Sequence, residues 1–206
     1  LKRLALRVRL ENALEQKKLS DQNKISAPRM FPIKDWGPSR SRDPGHLPKA
    51  SEIKKWHDTN TQNIAKLANQ IVKEGAHVIR IGSLAWNEEL FGKVAKAIYK
   101  AGGITTVHLP PSDISIVNAV KAAELGVTML EHHYGYPESA MGGKVHPFPS
   151  EYNYMDEADR FRHAGSIWQI ASEDILYGEV VDRLIKSGVA MPVSYTHLTL
   201  PTTGVV

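Results

Sequence analysis

Short apolar strands alternate with amphipathic helices through the middle of the chain, and this alternation is the strongest constraint on its fold. The strand-like stretches are HVIRIGS (77–83), ITTVHLP (104–110) and VTMLEHH (127–133). Helical periodicity runs through residues 87–102, 112–126 and 178–188, and each of these segments ends on glycine. Strands joined by helices through short connections form a parallel sheet. The pattern therefore predicts an α/β protein.

Two architectures accept this alternation, an open doubly wound sheet and a closed (β/α)8 barrel. A dinucleotide-binding sheet usually carries a glycine-rich phosphate loop directly after a strand. The glycine pair Gly102 and Gly103 precedes a strand instead. The dinucleotide-binding alternative therefore lacks its usual motif.

The remaining segments predict further elements on either side of the alternating region. APRMFPI (27–33) is typical of a short strand bounded by prolines, and residues 34–50 are typical of a long loop. A helix is expected after Ser51, with Gly75 at its end. Ser112 or Asp113 is the expected cap of the helix over 112–126. We also expect helices around 156–171 and a strand beginning at VAMP (189–192).

Composition excludes several classes of partner. The net charge is +4 and the basic residues are scattered, so no nucleic-acid surface is predicted. No apolar run approaches the roughly 18 residues of a membrane span, and no membrane partner is expected. The chain has no cysteine, which rules out disulfides and thiolate metal sites but leaves the compartment undecided.

The end of the chain is expected to be foreign to the protein. VSYTHLTLPT (193–202) resembles, at all ten positions, the in-frame translation of a transposon-end adapter used in DNA sequencing libraries. Native sequence is therefore expected over 1–192 and an adapter-derived tail over 193–206, as in a metagenomic reading frame. His197 is accordingly no candidate for a functional residue.

Two histidines end consecutive predicted strands and suggest a shared metal ion. His108 closes ITTVHLP, and His132 lies at the corresponding point of VTMLEHH. Adjacent parallel strands lie about 4.8 Å apart, so two such side chains that point inward can reach one cation. On this alignment His133 and Glu131 alternate to the opposite face, where Glu131 is expected to contact the helix layer. His46, in the long loop, is a weaker candidate for the same rim.

The segment TVHLPPSDISIVNAVKAAELGVTMLEHHYG (106–135) resembles the imidazolonepropionase-like branch of the amidohydrolase superfamily. The resemblance implies a partial (β/α)8 TIM barrel covering about strands three to seven within residues 1–192. It implies a zinc-dependent hydrolase that cleaves amide-like C–N bonds, non-peptide or dipeptide, through a metal-activated water. His108 and His132 correspond to metal ligands after strands five and six. A His-x-His pair and the catalytic aspartate of the family have no counterpart here, so this fragment is expected to be inactive alone.

One position departs from the family pattern and bears on the substrate. Members with two metals carry a lysine at the end of strand four, where this chain has Arg80. A guanidinium stays charged and is not expected to form a bridging carbamate, so the site holds one metal, the alignment is shifted here, or this member uses different chemistry. Arg80 is then a candidate ligand for a substrate carboxylate, and a salt bridge inside the barrel mouth is the alternative role. Tyr134 and Tyr136, in the loop after strand six, are the other candidate contacts for a small-molecule substrate.

Other functions remain open alongside the hydrolase. A barrel that has lost its metal and serves as a non-catalytic binding module or scaffold is one alternative, and Arg80 favours it. A decarboxylase or isomerase on the same barrel is another. A homo-oligomer is possible in the full-length protein, and the identity of the substrate cannot be deduced from these residues.

Overall fold

The computed structural model describes residues 10–27, 29–37, 51, 55–56, 61–82, 87–109, 117–131, 134–141, 149–153, 156–173 and 176–191. Four strands lie within this part of the chain: β1 (Ile33–Asp35), β2 (Val78–Arg80), β3 (Ile104–Val107) and β4 (Met129–Leu130). The helices are α1 (Leu10–Asp21), α2 (Ile64–Lys73), α3 (Glu88–Lys100), α4 (Ala119–Glu124), α5 (Tyr136–Ala140), α6 (Glu157–Glu173) and α7 (Leu176–Ser187). A single 3-10 turn at Thr61–Asn63 leads into α2.

The strands form one parallel sheet in the order β1-β2-β3-β4. Ala190 adds a parallel bridge to Met129, so the chain starts a fifth strand on the far side of β4. Each new strand thus joins the same edge, and every crossover, including the one from β1 to β2, contains at least one helix. A doubly wound sheet reverses this order at its switch point, whereas a barrel keeps it. The protein is an α/β fold that forms part of a (β/α)8 barrel.

Local sequence explains why α3 begins and ends where it does. The side chain of Asn87 accepts a hydrogen bond from the backbone N–H of Leu90 at 3.0 Å, which caps the first turn. Glu88 and Glu89 complement the positive end of the helix dipole. Gly102, with a φ of 85°, adopts the left-handed conformation that ends the helix before β3. The predicted helix over 87–102 is confirmed.

The core lies between the sheet and the helices. Ile79, Ile81, Val107 and Leu130 are completely buried and alternate along β2, β3 and β4 with the residues of the other face. They belong to one apolar cluster with Phe91, Val94 and Ile98 of α3. The sheet therefore has a helix-covered face and an opposite face. Lys34 and Thr105 share the helix-covered face with Ile79, whereas Asp35, Arg80 and Thr106 lie on the opposite face.

Two predicted boundaries are wrong. The first strand is Ile33–Asp35, which shares only Ile33 with the predicted strand 27–33 and continues into the predicted loop. Proline has no N–H to donate, and the carbonyl of Pro32 accepts from His77 and Val78, so regular pairing starts only after Pro32. The helix predicted over 112–126 begins at Ala119, with Asn118 rather than Ser112 or Asp113 as its cap.

The other element predictions have clear outcomes. Strands over 77–83, 104–110 and 127–133 are confirmed in shorter form, and α6 and α7 occupy the expected positions. Residues 193–206 lie outside the described residues. Among the helices that the structure describes, none has the length and apolar character needed to cross a bilayer.

Candidate functional site

The face opposite the helices carries polar side chains toward the carboxyl ends of the strands. The register places Asp35, Arg80, Thr106 and Met129 side by side across the four strands. Two residues beyond Thr106 and Met129, the same face bears His108, directly after β3, and Glu131, directly after β4. In barrels of parallel strands this end forms the active site. We call His108, Glu131, Thr106, Arg80 and Asp35 the strand-end cluster.

His108 and Glu131 form the centre of the strand-end cluster. His108 Nδ1 lies 3.9 Å from Glu131 Oε2, and the two side chains are 42% and 23% exposed. The hydroxyl of Thr106, which is almost fully buried, donates to the other carboxylate oxygen, Oε1, at 3.4 Å. The two oxygens of Glu131 therefore have different neighbours, and Oε2 is the one directed toward the imidazole.

Tyr134 packs against His108 and limits the orientation of its ring. The two rings meet edge to face with centroids 6.3 Å apart and an interplanar angle of 81°. The structure thus brings one of the predicted substrate contacts next to the predicted metal ligand.

Arg80 and Asp35 form an ion pair on the same face. Arg80 Nε donates to Asp35 Oδ1 at 2.7 Å, and both side chains are partly exposed. Among the described residues Arg80 has no further hydrogen bond or ion pair with side chains. The pair therefore holds the guanidinium through Nε.

Tyr136 lies elsewhere, away from the strand-end cluster. It borders an apolar cavity of about 170 Å³ between helices, together with Trp168, Tyr177, Leu184, Ile185 and Met191. Burial raises the pKa of the Tyr136 phenol to about 12, so it stays protonated. The structure does not bring Tyr136 together with His108, although its role as a substrate contact stays a prediction.

His132, His133 and His46 lie outside the described residues, and so the convergence of His108 with His132 stays a prediction. The prediction for Glu131 is wrong, because this side chain lies on the face of His108 and not against the helix layer. The assignment of His132 to that face therefore no longer follows from strand alternation alone. Among the described residues, no group of three or more histidine, aspartate or glutamate side chains is arranged to hold a metal.

Sequence reasoning missed Glu131 because of a one-residue error in register. His108 and His132 are 24 positions apart, whereas the observed register pairs Thr106 with Met129, 23 positions apart. With that offset Glu131 is the partner of His108. Asp35 was missed because its segment was taken for a loop, and its pairing with Arg80 has no local sequence signal.

The segment after β4 is anchored tightly beneath this cluster. Gly135 has a φ of 90°, and a Cβ at this position would lie 2.3 Å from Leu109 Cδ1. Its carbonyl accepts from Ala119 at the start of α4, and its N–H donates to Glu138 Oε2 at 2.7 Å. Only glycine fits here, and it ties the segment that carries Tyr134 to the helix layer.

Comparison with known proteins identifies no family for this chain. No protein-family model matches the chain, and no curated protein matches it significantly. A search of solved structures finds similarity to a crystal structure of D-psicose 3-epimerase in the presence of D-fructose, at 13% identity and a TM-score of 0.32. The matched region covers 63% of this chain and 45% of that one. At this TM-score the similarity carries no argument about this chain.

Proposed function

We propose that this chain carries part of the metal site of a metal-dependent hydrolase that cleaves amide-like C–N bonds in small molecules. The observation that carries the proposal is the placement of an imidazole and a carboxylate at the carboxyl ends of two adjacent parallel strands, on the face away from the helices. This is where barrel enzymes hold their reacting groups. The resemblance of residues 106–135 to amidohydrolases supplies the reaction class.

His108 and His132 are the proposed protein ligands of the metal, which we take to be zinc. A bound divalent cation lowers the pKa of water toward about 7 and polarises a substrate carbonyl. The donor types fit this role, because zinc accepts imidazole nitrogen and carboxylate oxygen. Tyr134 holds the His108 ring through its edge-to-face contact, so the imidazole is oriented before the metal arrives.

Arg80 is the proposed contact for a negatively charged group of the substrate. Asp35 holds the guanidinium through Nε, and the terminal nitrogens remain available for a bidentate pair with a carboxylate. A substrate with a carboxylate next to the amide, such as an acylated amino acid or a dipeptide, matches this arrangement.

Metal analysis of the purified chain tests the proposal directly. The chain is equilibrated with zinc, dialysed, and analysed by atomic emission, and its zinc affinity is measured by competition with a chelating dye. We expect His108→Ala and His132→Ala each to weaken zinc binding by roughly 100-fold, because loss of even outer-shell partners costs about 10–100-fold. The readout does not depend on turnover.

His77→Ala is the matched control. His77 is exposed at the amino end of β2, where its ring contacts Phe31 and its Nδ1 lies 3.1 Å from the Gly75 carbonyl oxygen. Its removal is expected to leave zinc binding unchanged. Equal loss of zinc in all three variants would indicate non-specific binding to surface histidines and would contradict the proposal.

The non-catalytic scaffold is the second candidate function, and the Arg80–Asp35 ion pair favours it. The pair occupies the position at which the resemblance leads one to expect a metal-bridging lysine. Absence of measurable zinc binding in the unaltered chain supports the scaffold over the hydrolase.

A further inference from the structure

The cavity that Tyr136 borders lies among α5, α6 and α7, away from the strand-end cluster, and has a volume of about 170 Å³. Most of its walls are apolar or aromatic side chains: Trp168, Tyr177, Val180, Leu184 and Val189. An apolar cavity offers water few hydrogen bonds, and a cavity of about 150 Å³ is known to bind benzene. The size of this cavity therefore suits a ligand built on one aromatic ring.

The rim of the cavity is open to solvent. Val181, Ile185 and Met191 border the cavity and are all exposed. A small molecule can therefore enter between these side chains without separating the packed helices.

Two aromatic side chains form one wall of the cavity. The rings of Trp168 and Tyr177 meet edge to face, with centroids 6.5 Å apart and an interplanar angle of 74°. Aromatic rings gain free energy from such edge-to-face and offset contacts beyond the burial of their area. This wall therefore favours an aromatic ligand over an aliphatic one of equal size.

Tyr136 supplies a polar group at the cavity wall. No described residue forms a hydrogen bond with its hydroxyl, although the side chain is partly buried. Burial raises the pKa of this phenol to about 12, so it keeps its proton at neutral pH and acts as a donor. A partly buried donor without a partner favours a ligand that brings an acceptor.

We propose that this cavity binds a small neutral aromatic compound with a hydrogen-bond acceptor, such as an aryl carbonyl. The ring packs against Trp168 and Tyr177, and the acceptor bonds the hydroxyl of Tyr136. The ligand is neutral because no charged side chain lines the cavity within the described part of the chain, and an unpaired charge is costly to bury. This site is independent of the proposed metal site.

Titration of the full chain with acetophenone tests the proposal, and ethylbenzene is the matched ligand, because a methylene group replaces its carbonyl. Binding is followed in two-dimensional NMR through the indole N–H signal of Trp168, which is identified by its loss in Trp168→Phe. We expect acetophenone to bind with a dissociation constant of about 1 mM or below. Ethylbenzene is expected to bind about fivefold more weakly, because it cannot accept from Tyr136.

Tyr136→Phe removes only the hydroxyl. We expect it to lower the affinity for acetophenone to that for ethylbenzene and to leave ethylbenzene binding unchanged. Tyr99→Phe is the control, since Tyr99 is exposed on α3 and does not border the cavity. Equal affinities for the two ligands in the unaltered chain would overturn the proposal, as would absence of binding up to about 10 mM acetophenone.

Val181→Phe fills the cavity from its rim and is expected to abolish the binding of both ligands. Ile185→Trp, at a more exposed rim position, provides the same test if circular dichroism shows that Val181→Phe does not fold. Binding that persists in a folded variant of this kind would place the ligand elsewhere and contradict the proposal.

Two further measurements separate this site from the other surfaces of the protein. His108→Ala is expected to leave acetophenone binding unchanged, and a loss would place the ligand at the strand-end cluster and overturn the inference. The affinity for acetophenone is expected not to fall as the protein concentration rises. A fall would show that a second copy of the chain occupies the cavity, which also overturns the inference.

Discussion

Glu138 is a buried carboxyl group whose pKa is shifted by its surroundings. Its Oε2 accepts from the N–H of Gly135, which caps the first turn of α5, while its Oε1 is buried and has no hydrogen-bond partner. Burial raises its pKa to about 7, and the two backbone hydrogen bonds act in the opposite direction. No charged side chain contributes to this shift.

The raised pKa of Glu138 predicts that the protein loses stability as the pH rises. Between about pH 4.5 and pH 7 the folded state keeps the proton and the unfolded state releases it, so the free energy of unfolding falls with increasing pH. Glu138→Gln removes this dependence. The free energy of unfolding of the variant, relative to that of the unaltered chain, is expected to rise by about 3 kcal/mol between pH 4.5 and pH 7. Urea unfolding at pH 5 and pH 8 measures the effect.

The exposed Glu11 on α1 provides the control for this experiment. Glu11→Gln is expected to give the same pH profile as the unaltered chain. A Glu138→Gln profile that parallels the unaltered chain from pH 5 to pH 8 would show that Glu138 is already ionised at low pH.

At the residue scale, sequence predicted the site only in part. His108 and Arg80 carry their own signals, since each is a polar residue at the end of an apolar strand. Glu131 does not, because its face depends on whether β4 is offset from β3 by 23 or 24 positions. The register is set by the pairing of whole strands, and the local sequences of two short strands do not determine it.

At the scale of elements, the six-residue helix α4 depends on its cap. Asn118 accepts from the N–H of Lys121 at 3.0 Å, and a helix of this length has few other internal bonds. We expect Asn118→Ala to lower the free energy of unfolding by about 1 kcal/mol, and Asn118→Asp to retain stability, because Asp is an equally good cap. Urea unfolding at neutral pH gives both values.

Asn69 provides the matched position for the Asn118 substitutions. It lies exposed in the interior of α2, where its side chain bonds the Ala65 carbonyl of the preceding turn. Alanine is the better helix former there, so Asn69→Ala is expected to be neutral or slightly stabilising. Similar losses at Asn69 and Asn118 contradict a specific capping role for Asn118.

Sequence predicted the order and type of these elements better than their ends. Helix α3 shows why, since its periodicity, its Asn87 cap and its glycine stop all point to the same boundaries. For β1 and α4 the local signals competed. The apolar residues before Ile33 favoured an earlier strand, but Pro32 has no N–H for regular strand pairing. Ser112 and Asp113 are suitable cap residues that precede the observed cap, Asn118.

At the scale of the whole molecule, one flank of the helix layer is apolar and open. Val181 and Ile185 on α7 and Met191 after it are 37%, 71% and 57% exposed, and they border the cavity that Tyr136 lines. A patch of this kind favours association with other apolar surfaces. A homo-oligomer of the full-length protein, which the sequence left as a possibility, stays untested, and this flank is where we expect contact.

Ile185→Lys tests whether this flank drives self-association. Removing one buried isoleucine from an interface costs about 1.5–3 kcal/mol, so the association constant is expected to fall by roughly tenfold or more. Sedimentation velocity over a range of concentrations measures it. Tyr99→Lys is the control, because Tyr99 on α3 is 72% exposed and does not border the cavity. Equal effects of both substitutions would point to general surface hydrophobicity.

The two-faced sheet also limits how this protein can vary. Thr106 and His108 project to one side of the sheet and Val107 to the other. Residues of the candidate site and residues of the core therefore alternate along this part of the chain. An insertion of one residue before Val107 would exchange the two sets, sending the imidazole into the hydrocarbon interior and a valine into the solvent. Changes in length are therefore tolerable between the strands but not within them, and new specificities in such a protein have to arise in the connecting segments.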